Sequence, residues 1–187
     1  MAAIPDDATP PQPDDSWLDA TEAAAWSGYR ELKGLVDAAV AADLRTDSGL
    51  SDADYHVLST LSETPDTDWR LRTLADRLLW TRSRLAHQLR RMEARGLVAR
   101  PDAPGPAGPR IVLTEAGWRT VVDAAPLHVR SVRRRFLDAL DPEAQRRFAA
   151  IAATVVAALR AQPDAVAGDE RPDVPGGGSP RAPTPGP

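Results

Sequence analysis

A chain of 187 residues with a net charge of −4 is long enough for one domain with a sizeable core, or for a smaller core plus an oligomerisation element. It has no cysteine, which excludes disulfides, thiolate metal sites and cysteine-based redox sensing, and its three histidines are scattered without metal-ligand spacing. No stretch approaches the roughly 18 consecutive apolar residues of a bilayer span, and the first residues lack the basic-then-apolar layout of a secretory signal, so a cytoplasmic location and no membrane partner are expected.

Residues 1–15 hold Pro5, Pro10, Pro11 and Pro13 among acidic and small residues and are expected to be disordered. From about Ser16, a good N-cap, to Leu44 the chain reads as a long helix with apolar residues at Leu18, Ala25, Tyr29, Leu32, Val36 and Val40. A helix of roughly 29 residues extends some 40 Å, more than a small core needs. Either the excess serves as an intersubunit helix, or a break near Gly34 makes two ordinary helices. Ser51 caps the next helix, with Asp52 and Asp54 in its first turn and Tyr55, Leu58 and Leu61 as its buried stripe. That helix ends before Pro65, a turn follows over Pro65–Asp68, and Trp69–Leu71 is expected as a very short strand.

The stretch LRTLADRLLWTRSRLAHQLRRMEARGLV, from Leu71 to Val98, reads as two short helices with a tight joint, about residues 72–95. Leu74, Ala75 and Leu78 form one apolar stripe; Leu85, Leu89 and Met92 form another. Thr81 stands where its hydroxyl can cap the second helix, and Gly96 stands where a left-handed stop is needed. Leu97–Arg100 and Arg110–Leu113 can pair as a hairpin over about 97–113, but its tip PDAPGPAGP is too rich in proline for regular strand. Thr114 caps a further helix running to about Leu140, with an irregularity expected at Pro126. Asp141-Pro142 restarts a last helix, about 141–161, whose apolar face is Phe148, Ile151, Val155, Val156 and Leu159. Residues 162–187, with seven prolines and several glycines, are expected as a disordered tail.

The expected fold is therefore mainly α with a small β-hairpin: a winged helix-turn-helix flanked by N- and C-terminal dimerisation helices, over residues 16–161. Charge distribution points the same way. Residues 70–110 hold ten arginines against Asp76, Glu93 and Asp102, a local charge of +7 that leaves −11 for the remainder. Phosphate attraction depends on the local face, and the forked guanidinium suits phosphate and guanine. A coding bias explains arginine in place of lysine, but not the clustering. Carboxylates such as Asp52, Asp54, Glu63, Asp66 and Asp68 fall in caps and turns; with no phosphate-binding glycine loop, zinc spacing or nucleophile elbow, an enzyme is not expected.

LADRLLWTRSRLAHQLRRMEARGLV (Leu74–Val98), IVLTEAGW (Ile111–Trp118) and VRRRFLDALDPE (Val132–Glu143) together resemble the MarR family of bacterial winged helix-turn-helix regulators, over roughly Trp17–Leu159. The resemblance implies a homodimer whose terminal helices interdigitate, a palindromic double-stranded DNA operator near its own or divergent genes, and, as in many members, release by a small aromatic ligand. No cofactor is implied. Carried over position by position, Thr81, Arg82, Ser83, Arg84, His87 and Gln88 fall where the family reads the major groove. The acid and arginine usual at the wing tip are replaced here by Gly105 and Ala107, which leaves Arg100 and Arg110 at the wing base, with Arg91 on the helix, as candidate phosphate contacts. Trp118, basic in many homologues, is expected as packing, as is Trp80.

For the ligand, Trp17, Trp26, Tyr29, Tyr55 and His56 are candidates for an aromatic-walled cavity between the first two helices, against the alternative that they serve the core or the dimer interface. Tyr55 and His56 are adjacent on one helix, so at most one faces inward. The rival function is a winged-helix protein-interaction module that does not bind DNA, for which a hydrophobic outer face on the second helix would be required.

Overall fold

A computed structural model describes residues 17–101 and 108–162. The described elements run α1 (Ala20–Ser48), α2 (Asp52–Glu63), α3 (Leu71–Leu78), α4 (Arg82–Ala94), β1 (Val98–Ala99), β2 (Val112–Leu113), α5 (Glu115–Arg135) and α6 (Pro142–Arg160), with a 3-10 turn at Leu137–Ala139. Residues 1–15, residues 163–187 of the expected tail and the wing tip at Gly105 and Ala107 lie outside the described residues.

Ser16 lies outside the described residues, and Asp19 opens α1. Its carboxylate accepts the N–H groups of Thr21 and Glu22 at 2.7 and 2.8 Å, and the Glu22 carboxylate accepts the Asp19 N–H at 2.9 Å. Two reciprocal charged acceptors satisfy more of the orphan amides than a lone serine hydroxyl can. The helix is unbroken at Gly34 and stops at Gly49, which takes the left-handed φ of 69°. Only its second half enters the core, through Val40 and Leu44, while Trp17, Leu18, Trp26, Tyr29, Leu32 and Leu35 are all exposed.

The core sits between α2, α3 and α4, where Val57, Leu58, Leu74, Leu85, Leu89 and Met92 are completely buried. Burial of each such side chain contributes roughly 1.5–3 kcal/mol. The hairpin is antiparallel, Val98 opposite Leu113 and Ala99 opposite Val112, and shorter than expected. Trp69–Leu71 is not a strand: Leu71 opens α3, although the Trp69 carbonyl accepts the Ile111 N–H at 2.9 Å along the hairpin edge. Gly117 lets α5 rest directly against β1, since a Cβ there would fall 1.9 Å from the Leu97 carbonyl oxygen. Pro126 lies inside α5 without interrupting it, and the helix ends at Arg135 rather than near Leu140.

α1 is locked to the far end of α5 by Asp43. Its carboxylate accepts from the Ser131 hydroxyl at 2.6 Å and from the Arg134 and Arg135 guanidiniums at 2.8–2.9 Å. Hydrogen bonds from Arg135, Ser131 and Arg134 hold this carboxyl well below the usual carboxylate range. By contrast, α6 has no buried residue; Phe148 meets Phe136 edge-on at 5.1 Å, and Ile151, Val155, Val156 and Leu159 are exposed.

Candidate nucleic-acid interface

α3 and α4 are the two short helices of the basic stretch. α3 starts without a strong cap; the Thr73 hydroxyl accepts the Arg70 N–H at 3.1 Å instead. At the joint Leu79 takes φ 55°, a left-handed conformation with no glycine or asparagine to favour it. Trp80 behind it is buried, with its N–H bonded to the Ala75 carbonyl at 2.9 Å. Thr81 then caps α4, its hydroxyl accepting the Arg84 N–H at 3.2 Å.

α4 divides cleanly. Leu85, Gln88, Leu89 and Met92 point inward, and Arg82, Ser83, Arg84, His87, Arg90 and Arg91 are exposed. The Arg84 guanidinium lies 4.2 Å from the centroid of the Trp80 ring, a cation–π contact. His87 Nδ1 lies 3.3 Å from an Arg90 guanidinium nitrogen. Trp80, Ser83, Arg84, His87, Arg90 and Arg91 border a concavity of about 500 Å³, whose wall of guanidiniums suits an anionic ligand.

Gln88, expected on the reading face, is only 2 % exposed. It stands three residues after Leu85 and four before Met92, on the apolar stripe, and its amide nitrogen donates to Asp54 Oδ1 at 2.8 Å. Asp54, which reads as a cap acid in the sequence, is buried and also accepts from Arg95 at 2.7 Å and from the Ser51 hydroxyl at 2.8 Å. Burial works against its charge, but the bonds from Arg95 and Ser51 prevail and hold the carboxyl below its ordinary value.

The two wing-base arginines are both engaged. Arg100 Nε donates to Glu93 at 2.7 Å, and that bond raises its pKa further. Arg110 pairs with Asp68 at 2.8 Å, and Arg70 holds the same Asp68 at 2.9 Å while donating to the Gly108 carbonyl. Asp68, which reads as a turn residue, thus joins with Arg70 in tying the β2 flank of the wing to the loop before α3. Trp118, expected as packing, is 43 % exposed beside a cleft bordered by Trp69, Ile111 and Leu113.

The five aromatic candidates do not share a cavity. Trp26 stacks on Tyr29 at 5.7 Å on the exposed first half of α1, and Trp17, just before that helix, is exposed as well. Tyr55 is buried with its ring 4.3 Å from that of His128, while its neighbour His56 is exposed. The helix places neighbours about 100° apart, so the two could not line one wall together. Of the five, His56 alone borders a cleft of about 230 Å³ formed with Val36, Val40, Asp52, His128 and Val132. Tyr29 borders a separate, mostly apolar cleft with Leu32, Phe136 and Phe148.

A basic helix set on a helix-turn-helix joint, followed at once by an antiparallel hairpin, defines a winged helix-turn-helix protein. No family model and no curated protein matches the sequence. Solved structures do. AbsC, a MarR family transcriptional regulator from Streptomyces coelicolor, is 37 % identical over 78 % of this chain and 99 % of its own, with a TM-score of 0.70. Sco3205, a MarR family regulator from the same organism solved in complex with DNA, is 34 % identical over 84 % of this chain and 96 % of its own, with a TM-score of 0.72. The organohalide-sensing regulator RdhR-CbdbA1625 in its 2,4-dichlorophenol-bound form shares the fold at 19 % identity, with a TM-score of 0.64 over 77 % of this chain and 84 % of its own. The chain belongs to the MarR family of transcriptional regulators, a family of regulators rather than enzymes.

Proposed function

We propose that the chain is a dimeric, sequence-specific double-stranded DNA-binding regulator that represses its own or neighbouring genes and is released by a small aromatic ligand. The observation that carries the reading is the outward face of α4: Arg82, Ser83, Arg84, His87, Arg90 and Arg91 are exposed, and every large apolar side chain of that helix is buried. Such a face suits a major groove, where a guanidinium bonds guanine bidentately and neighbouring arginines take phosphate. The DNA-bound structure of a relative 34 % identical supports the same ligand class. A module that docks protein needs an apolar outer face on α4, so the observation favours DNA.

In this reading Thr81, Arg82, Ser83, Arg84 and His87 face the bases and nearest phosphates, and Arg91 and Arg110 reach the backbone. Arg100, clamped by Glu93, braces the wing instead. The exposed apolar faces of α1 and α6 pack on a second copy, and the two-fold axis this creates makes the operator a palindrome. The cleft at His56 and His128 is the place for a ligand, in line with the dichlorophenol held by a protein of the same fold. A cytoplasmic location goes with this function.

Selection of duplexes from a random pool tests the proposal. The expected outcome is two inverted half-sites whose affinity falls steeply with salt, bound by a species of twice the chain mass. A protein with no salt-sensitive affinity for any duplex overturns it.

A further inference from the structure

Asp54 lies 4 % exposed beneath α4, where an unpaired carboxylate is strongly unfavourable. Its oxygens are shared between two helices. Oδ1 accepts from Gln88 at 2.8 Å; Oδ2 accepts from Arg95 at 2.7 Å and from the backbone and hydroxyl of Ser51 at 3.1 and 2.8 Å. Gln88 passes the connection outward, its side-chain oxygen accepting from the Arg91 guanidinium. One carboxylate on the first turn of α2 therefore grips α4 at Gln88 and at its C-cap Arg95, seven residues on and roughly 10 Å along the axis.

Apolar contacts alone would hold α4 against the core, but they are non-directional and tolerate small rotations. Hydrogen bonds to an ion are directional, and two of them on one helix face fix both its rotation and its axial position. Side chains that read base edges work only within about 0.5 Å and 10–20° of their productive geometry. A buried polar network can serve such specificity even where an apolar replacement would match its energy.

We infer that Asp54 and Gln88 are positioning residues for the recognition helix: neither touches DNA, and together they set the rotation at which Arg82, Arg84, His87 and Arg91 face the groove. The inference rests on the DNA-binding reading above. It also reassigns Gln88, which the sequence places among the base readers.

The probe is the duplex selected by the wild-type protein, with a scrambled duplex of equal length as the non-specific reference. Asp54→Asn and Gln88→Met, the latter close to the native volume, are first matched to wild type by circular dichroism and by mass in solution. The expected result is at least a tenfold drop in the ratio of specific to non-specific affinity, with non-specific affinity not reduced. Duplex selection repeated with Gln88→Met should return the wild-type consensus weakened at every position of the half-site. Relaxation at a single base pair would instead make Gln88 a base reader and overturn the inference, as would an unchanged ratio in the folded variants. A purely structural role lowers the melting temperature but leaves that ratio unchanged for the folded fraction. If Asp54→Asn does not fold, Gln88→Met decides alone, since it leaves no buried charge unpaired beyond Asp54, which keeps Arg95 and Ser51. A wild-type protein without salt-sensitive duplex affinity fails the DNA reading itself, a result distinct from folded variants that bind as wild type does.

Discussion

The guanidinium of Arg84 rests 4.2 Å above the ring of Trp80, the buried residue that fills the joint between α3 and α4. A flexible side chain is thereby held near one orientation before any duplex arrives, which lowers the ordering cost of a contact. On the proposed reading, Arg84→Ala should weaken specific duplex binding by about 1–3 kcal/mol without changing the mass of the protein in solution. Arg84→Lys should not restore it, because an ammonium has neither the planar fork nor the same stacking on indole. Fluorescence anisotropy with the selected duplex, alongside sedimentation, checks both. Subunit dissociation in Arg84→Ala would remove Arg84 from the DNA face.

The apolar face of α6 makes the dimer directly testable. Ile151 and Val155 lie one turn apart and are exposed at 64 and 53 %, on a helix with no buried residue. Exposed apolar surface of this extent marks a contact surface. Two aspartates there, Ile151→Asp with Val155→Asp, should give a folded monomer by sedimentation at micromolar concentration. Duplex affinity should fall with it, because one half-site is then bound at a time. A double variant with wild-type mass would place the interface elsewhere.

Stability should depend on pH through His128. Its ring packs on Tyr55 at 4.3 Å, and its Nδ1 is buried with no hydrogen-bond partner among the described residues. Burial, and then the neighbouring His56, lower its pKa, with Asp52 opposing. The folded state thus favours the neutral ring, so the unfolded chain takes up a proton first, near pH ~6.5. The contribution is full above that pH and is lost as pH falls toward the lowered folded value, with a slope of at most about 1.4 kcal/mol per pH unit for one proton. His128→Phe should flatten this limb in chemical denaturation series. Asp54 adds a second, separate loss: its carboxyl is held low, so its contribution is present above ~3.9 and disappears as pH falls through the folded value.

What was legible in the sequence was local. Ser51, Thr81, Thr114 and Asp141 each cap the helix they precede, because a cap is decided within three or four residues. The apolar stripes of α2 to α4 followed from helical spacing for the same reason. The inward turn of Gln88 is not legible locally, because a polar residue on an apolar stripe turns inward only if a partner waits there, and Asp54 is 34 residues away. Trp17, Trp26 and Tyr29 stand apart from Tyr55 because the chain through the first half of α1 lies outside the core, which periodicity along one helix does not reveal.

The left-handed joint was invisible to sequence rules as well, since Leu79 is neither glycine nor asparagine. It holds φ 55° and ψ 39° with its side chain 67 % exposed. Left-handed geometry costs an ordinary residue about 1–2 kcal/mol, and an exposed leucine recovers little of that by burial. Leu79→Asn should therefore stabilise the fold by about 0.5–1 kcal/mol, since asparagine tolerates this conformation. Leu79→Val should destabilise it by a similar amount, because branching at Cβ worsens the clash. The measurement is the urea midpoint at unchanged slope. If asparagine and glycine both lowered the midpoint, the leucine would be making a contact that a single chain does not contain, and the joint itself would lie against a partner.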